Sequence, residues 1–170
     1  MTNDSNLLPL GELAIQVAGL LRGRAQTVSV VEGSAGGLVS AALLAVPGAS
    51  AYFLGGAVVY TRQARRALLG LSDADVTGVR GETEPYVALT ANRMRDSLGA
   101  TWGLSESGFA GPTGGPRGGA AGHCCIAVAG PVAMTRTIGT GQADRQFNMD
   151  WFARCQLALF CEVLTSQEQV

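Results

Sequence analysis

Two glycine-rich turns hold the residues best suited to chemistry. The first is Glu32-Gly33-Ser34-Ala35-Gly36-Gly37 and the second is Ser107-Gly108-Phe109-Ala110-Gly111-Pro112-Thr113-Gly114-Gly115. Glycine removes side-chain bulk, so backbone N–H groups at such a turn can receive an anion or phosphate at the start of a helix. Neither turn has the spacing of a Walker loop or of a GxGxxG dinucleotide loop, and the bland alternative is that the glycines only permit tight turns. Ser34 is a candidate nucleophile, or else an N-cap serine bonding its own helix start. Glu32 stands beside the first turn, where a carboxylate can take a ligand hydroxyl or cap the backbone. His123 is the only histidine and reads more naturally as a polar strand end than as a base. The chain contains no lysine, which excludes a lysine base, nucleophile or Schiff base.

Composition narrows the partners. Twelve arginines stand against thirteen acids, for a net charge of -1. No basic stripe exists that would neutralise a row of phosphates, so nucleic acid is not expected as a partner. The apolar runs 38–47 and 51–59 are too short to cross a bilayer and are broken by Gly, Pro and Ser. The first residues lack the positive start of a signal peptide, so a cytoplasmic protein is expected. Four cysteines show no CxxC spacing and read as reduced thiols, with Cys124 and Cys125 on opposite faces of one strand; no metal site or cofactor is expected.

The elements that must position these turns follow from periodicity. Leu8, Leu10, Leu13, Ala14, Val17, Leu20 and Leu21 predict an amphipathic helix over 7–21. A β-branched strand at 27–31 leads through the first glycine turn into a helix over 38–46, stopped by Pro47-Gly48. A strand at 52–60 carries Gly55-Gly56, the mark of a bulge or a close backbone approach. Helices are predicted over 61–69 and 82–98, and a strand over 101–107 runs into the long loop 108–122. A hairpin spans 123–129 and 132–138, and a closing helix covers 142–164, with both chain ends loose. Trp102, Trp151 and Phe152 are expected in the core. The pattern predicts one domain over residues 1–170, a mixed sheet covered by helices on both faces. Ligands in such sheets sit beyond the carboxyl ends of the strands.

The residues also resemble a known family. The first turn, Val46-Pro47-Gly48-Ala49-Ser50-Ala51-Tyr52-Phe53-Leu54-Gly55-Gly56, Val59-Tyr60-Thr61-Arg62-Gln63-Ala64-Arg65, Leu68-Leu69-Gly70 and Ser107-Gly108-Phe109-Ala110-Gly111-Pro112 together resemble the C-terminal domain of the CinA family. As a stand-alone protein that domain is known as nicotinamide mononucleotide deamidase. The resemblance covers roughly residues 10–164 and implies a three-layer α/β/α sandwich with a mixed, mostly parallel five-stranded sheet. It also implies hydrolysis of the nicotinamide mononucleotide amide to nicotinic acid mononucleotide and ammonia.

The family's first pattern is Glu-Ser-Cys-Thr-Gly-Gly, with that serine as nucleophile. Here Gly33 occupies the serine position, Ser34 the next and Ala35 the threonine position. Its second pattern is Thr-Tyr-Ser-Asn-Glu-Ala-Lys, in which tyrosine and lysine assist the serine. Tyr60 is kept, and Arg65 stands where the lysine belongs. Glycine has no nucleophilic atom, and an arginine cannot accept a proton near neutrality.

Two readings stay open. In one, the domain binds a pyridine nucleotide or related anion through Glu32, Gly33, Gly36, Gly37, Arg65, Ser107, Gly108 and Gly111, with the Ser/Lys pair lost. In the other, Ser34 with Tyr60, or a bound water, still hydrolyses the amide. Assembly as a homo-oligomer is expected in either case.

Overall fold

In a computed structural model, the structure describes residues 7–115 and 118–167. Five strands form one sheet in the order β2-β1-β3-β4-β5, comprising β1 (Val28–Glu32), β2 (Phe53–Val58), β3 (Trp102–Gly108), β4 (His123–Ala129) and β5 (Met134–Gly139). The β1/β2 and β1/β3 pairs are parallel, whereas β3/β4 and β4/β5 are antiparallel. All strands but β4 therefore point the same way, although only half of the pairings are parallel. The hairpin places the fourth strand against β3, and the tight connection after Gly130-Pro131 forces the fifth to return antiparallel.

One face of the sheet is covered by α1 (Leu10–Gly23), α2 (Leu38–Leu44) and α5 (Arg145–Ser166). The main core lies under them. It includes Trp102 and Phe160, whose rings meet edge to face with centroids 5.6 Å apart, together with the buried Trp151 and Phe152. The other face carries α3 (Arg62–Leu69) and α4 (Glu84–Leu98) over two smaller clusters. Cys124 packs on the first face and Cys125 on the second, as strand alternation requires. All four cysteines are free thiols.

The predicted elements are present, with ends displaced by a few residues. α1 starts at Leu10 because Pro9 precedes it and takes a non-helical conformation. α5 starts at Arg145, where the Asp144 carboxylate accepts the Phe147 N–H. It runs on to Ser166, so the residues just after Leu164 continue the helix instead of fraying. The expected loose start falls on residues 1–6, outside the described ones. The Gly55-Gly56 signal marks a real irregularity: the β1/β2 register slips between Val28 and Ser29, leaving Leu54 without a partner in the ladder.

This topology creates the place for a site. The chain leaves β1 for β2 on one side and later enters β3 on the other, so the carboxyl ends of these strands open onto one crevice.

Candidate functional site

A cleft of about 840 Å³ opens at that switch point. Its floor is Gly33 and Ser34 after β1 and Ser107, Gly108 and Phe109 at the end of β3; Val59, Tyr60, Thr61, Arg62 and Arg65 form one side. The α3–α4 connection and the start of α4 complete the lining, including Asp73, Arg80, Glu82 and Tyr86. That connection had drawn no attention in the sequence.

The structure divides the expected ligand residues. Gly33, Ser34, Tyr60, Arg65, Ser107 and Gly108 line the cleft, and Glu32, Gly36, Gly37 and Gly111 do not. Glu32 is buried, and its carboxylate accepts hydrogen bonds from the Gly37, Val39 and Ser40 N–H groups at 2.9, 3.0 and 2.9 Å and from the Ser40 hydroxyl at 2.7 Å. The anion received at the first helix start is thus the protein's own carboxylate. Gly36 and Gly37 have positive φ, 68° and 101°, which is what lets the chain turn sharply enough for those N–H groups to converge on Glu32. Gly111 packs against Ala143, and its carbonyl accepts from Arg145 Nη1 at 2.6 Å.

Ser34 is not an N-cap. The helix begins four residues later, at Leu38, with Gly37 as its N-cap. Instead, Ser34 lies in the turn, 5% exposed, and its hydroxyl donates to Oε1 of Glu106. Glu106 is a buried carboxylate on β3 that sequence reasoning passed over. Its Oε2 accepts the N–H groups of Gly33 at 3.2 Å and Ala35 at 2.7 Å, and Cys124 Sγ lies 3.3 Å from Oε1. Burial raises the pKa of Glu106 above the ordinary carboxylate range, against the opposing effect of the Ser34 hydrogen bond. The Cys124 thiol is pushed well up, first by burial and then by the neighbouring Glu106, so it is no thiolate nucleophile.

Gly33 packs closely against the end of β3: a β-carbon built there would sit 3.3 Å from the Glu106 carbonyl oxygen, 3.6 Å from Ser107 Cα and 3.7 Å from Ser107 Oγ, so a side chain would need the neighbouring backbone to give by a few tenths of an ångström.

Arg65 is 7% exposed. Its Nε donates to the Leu71 carbonyl at 3.3 Å, and Nη2 pairs with Asp73. Asp73 is held below the usual carboxylate range, first by its hydrogen bond from Arg66 and further by Arg65. The fork expected to grip a ligand phosphate thus clamps the cleft wall together. Tyr60 is 66% exposed at the rim and accepts from Arg145 Nη2 at 3.1 Å. Arg145 opens α5, far away in sequence, and only the fold shows that it meets Tyr60.

The long loop after β3 does not close over the cleft with any described residue beyond Phe109. It folds back on the Phe109 ring, where Gly115 and Gly119 pair and lie so close that neither has room for a side chain. His123 contributes no cleft surface; its Nε2 is 3.0 Å from the Glu82 carbonyl. Among the described residues, no group of three or more His, Cys, Asp or Glu side chains could hold a metal ion, and no helix is long and apolar enough to cross a membrane.

The chain is a three-layer α/β/α domain with a cleft at a topological switch point, and comparison supplies the family. The family model described as the CinA C-terminal domain matches residues 11–164, and the chain belongs to that family. A CinA-like protein of Prochlorococcus marinus is 47% identical over 120 residues, which is 70% of this chain and 28% of that protein. Another from Desulfosudis oleivorans is 40% identical over 142 residues, 83% of this chain and 34% of the relative. The chain thus matches about a third of the length of these relatives. Among solved structures, a competence or damage-inducible protein from Enterobacter asburiae superposes with a TM-score of 0.86 at 28% identity, covering 92% of this chain and 99% of its own. The competence damage-inducible protein A from Klebsiella pneumoniae gives 0.87 at 26% identity, covering 93% and 98%.

Proposed function

We propose that this cleft binds a pyridine nucleotide or a related small anion and that the family's inherited serine/lysine hydrolysis is lost. One observation carries the reading: the nucleophile position is Gly33, and the residue at the lysine position, Arg65, is tied to Leu71 and Asp73. An arginine so held neither accepts a proton nor swings toward a substrate. The walls and floor that would enclose a ligand persist, with Arg62, Tyr60, Ser107 and the backbone of Gly33 and Gly108 facing the space. On this reading the domain acts in the cytoplasm as a homo-oligomer. The test is the melting temperature of the protein with nicotinamide mononucleotide or nicotinic acid mononucleotide. A ligand at one hundred times its Kd stabilises by about 2.7 kcal/mol, which for a chain of this size is a rise of about 5 to 11 °C. No rise at millimolar ligand contradicts the reading.

A second reading keeps the enzyme: hydrolysis of the nicotinamide mononucleotide amide to nicotinic acid mononucleotide and ammonia through Ser34 or a bound water. The observation in its favour is the hydrogen bond from Ser34 to Glu106. Mass spectrometry of the reaction mixture decides it; product above an enzyme-free control that disappears in Ser34→Ala supports the serine route.

A further inference from the structure

We propose that Ser34 and Glu106 form a nucleophile and general-base pair, giving the cleft an acyl-transfer chemistry of its own on a small ester or primary amide. The inference rests on the second reading above for its nucleophile and adds the base, which the motif residues do not supply. Ser34 lines the cleft floor and is the residue through which Glu106 communicates with the cleft, since Glu106 itself is 1% exposed and is not among the lining residues. The hydroxyl donates to Oε1, the direction needed for the proton to leave as Oγ attacks.

The carboxylate cannot swing away. Its Oε2 is fixed by the Gly33 and Ala35 N–H groups on either side of Ser34, so base and nucleophile are held by the same turn. Charged and titratable neighbours of Glu106 are few, namely Glu32 on the adjacent strand and Cys124 on β4. Burial above all, and the Glu32 charge after it, keep the carboxyl easier to protonate than an exposed one, against the hydrogen bonds from Ser34, Ala35 and Cys124, which suits a base working near neutrality.

Oγ of Ser34 bonds to the carbonyl carbon, its proton passes to Glu106, and Glu106 returns that proton to the leaving alcohol or ammonia. Water then cleaves the acyl-serine, losing one proton to Glu106, which hands it back to Oγ. Arg65 has no part in either half.

A fluorophosphonate probe tests the pair without presupposing a substrate: Oγ bonds to phosphorus, fluoride leaves and Glu106 takes the proton. Intact-protein and peptide mass spectrometry of the wild-type chain should find the adduct on Ser34, formed at a rate that rises with pH as Glu106 ionises. Glu106→Gln should slow labelling by about 100-fold or more and abolish the pH dependence, while its circular dichroism stays that of the wild type. Glu106→Asp should label at an intermediate rate, and it replaces Glu106→Gln if the latter fails to fold. A folded wild type left unlabelled at Ser34, or a Glu106 variant labelled at the wild-type rate, overturns the proposal. Labelling without nicotinamide mononucleotide turnover leaves the pair in place and refutes only that substrate; turnover that survives in Ser34→Ala refutes the pair and assigns the hydrolysis to water.

Discussion

Glu32 and Glu106 are two buried carboxylates at the same strand ends, and their surroundings give them different tasks. Glu32 collects three backbone donors and a hydroxyl and so builds the turn. Replacing it with alanine would orphan three N–H groups, each costing about 1 kcal/mol or more when buried. Urea denaturation of Glu32→Ala should therefore show a loss of at least about 3 kcal/mol with an unchanged slope. Glu106 gives a pH signature instead. Its folded pKa is raised, so the unfolded chain gives up this proton first. Its contribution to stability is complete below the unfolded value, about 4.3, and is lost as pH rises through the folded value. Between pH 4 and 8, the melting temperature of the wild type should fall relative to that of Glu106→Gln; parallel curves would show that the residue does not titrate in this window.

The elements were largely legible, because apolar patterning and turn residues are local signals, clearest in the alternation of β2 and weakest in α5, which is apolar on most sides. What was hidden is long-range pairing. Glu106 left a trace, a carboxylate inside a strand that the α/β pattern predicts to be covered on both faces, and such a charge demands named partners. The fate of Arg65 left none: it depends on Asp73, in a connection whose sequence reads as an ordinary loop. Asn148 is a further case. It lies buried on α5, where its Nδ2 donates to the carbonyls of Ala110 and Gln142 at 2.8 and 2.9 Å and its Oδ1 accepts from Thr140 at 2.6 Å. It therefore ties the start of α5 to the loop after β3. Asn148→Ala should cost about 2 to 3 kcal/mol by the loss of these bonds, and hydrogen exchange should show the added opening concentrated at residues 140–147.

At the scale of the molecule, the cleft is a product of topology: β1 lies between β2 and β3, and the carboxyl ends of β1 and β3 open onto it. The edge strand β2 turns Leu54 and Val58 outward, 42% and 43% exposed, beside an unpaired ladder edge. Light scattering on the eluting peak should give a mass that is a multiple of 17.4 kDa, and charged substitutions at Leu54 and Val58 should reduce it to one chain; a monomeric wild type would refute assembly.

The account stands on the cleft being a ligand site that has outlived its inherited catalytic pair. Calorimetric titration of nicotinamide mononucleotide into the wild-type protein tests this most directly. A saturable isotherm with one site per chain, kept when Arg65 is changed to Lys, is the predicted result. The absence of any saturable heat up to millimolar nucleotide would contradict it.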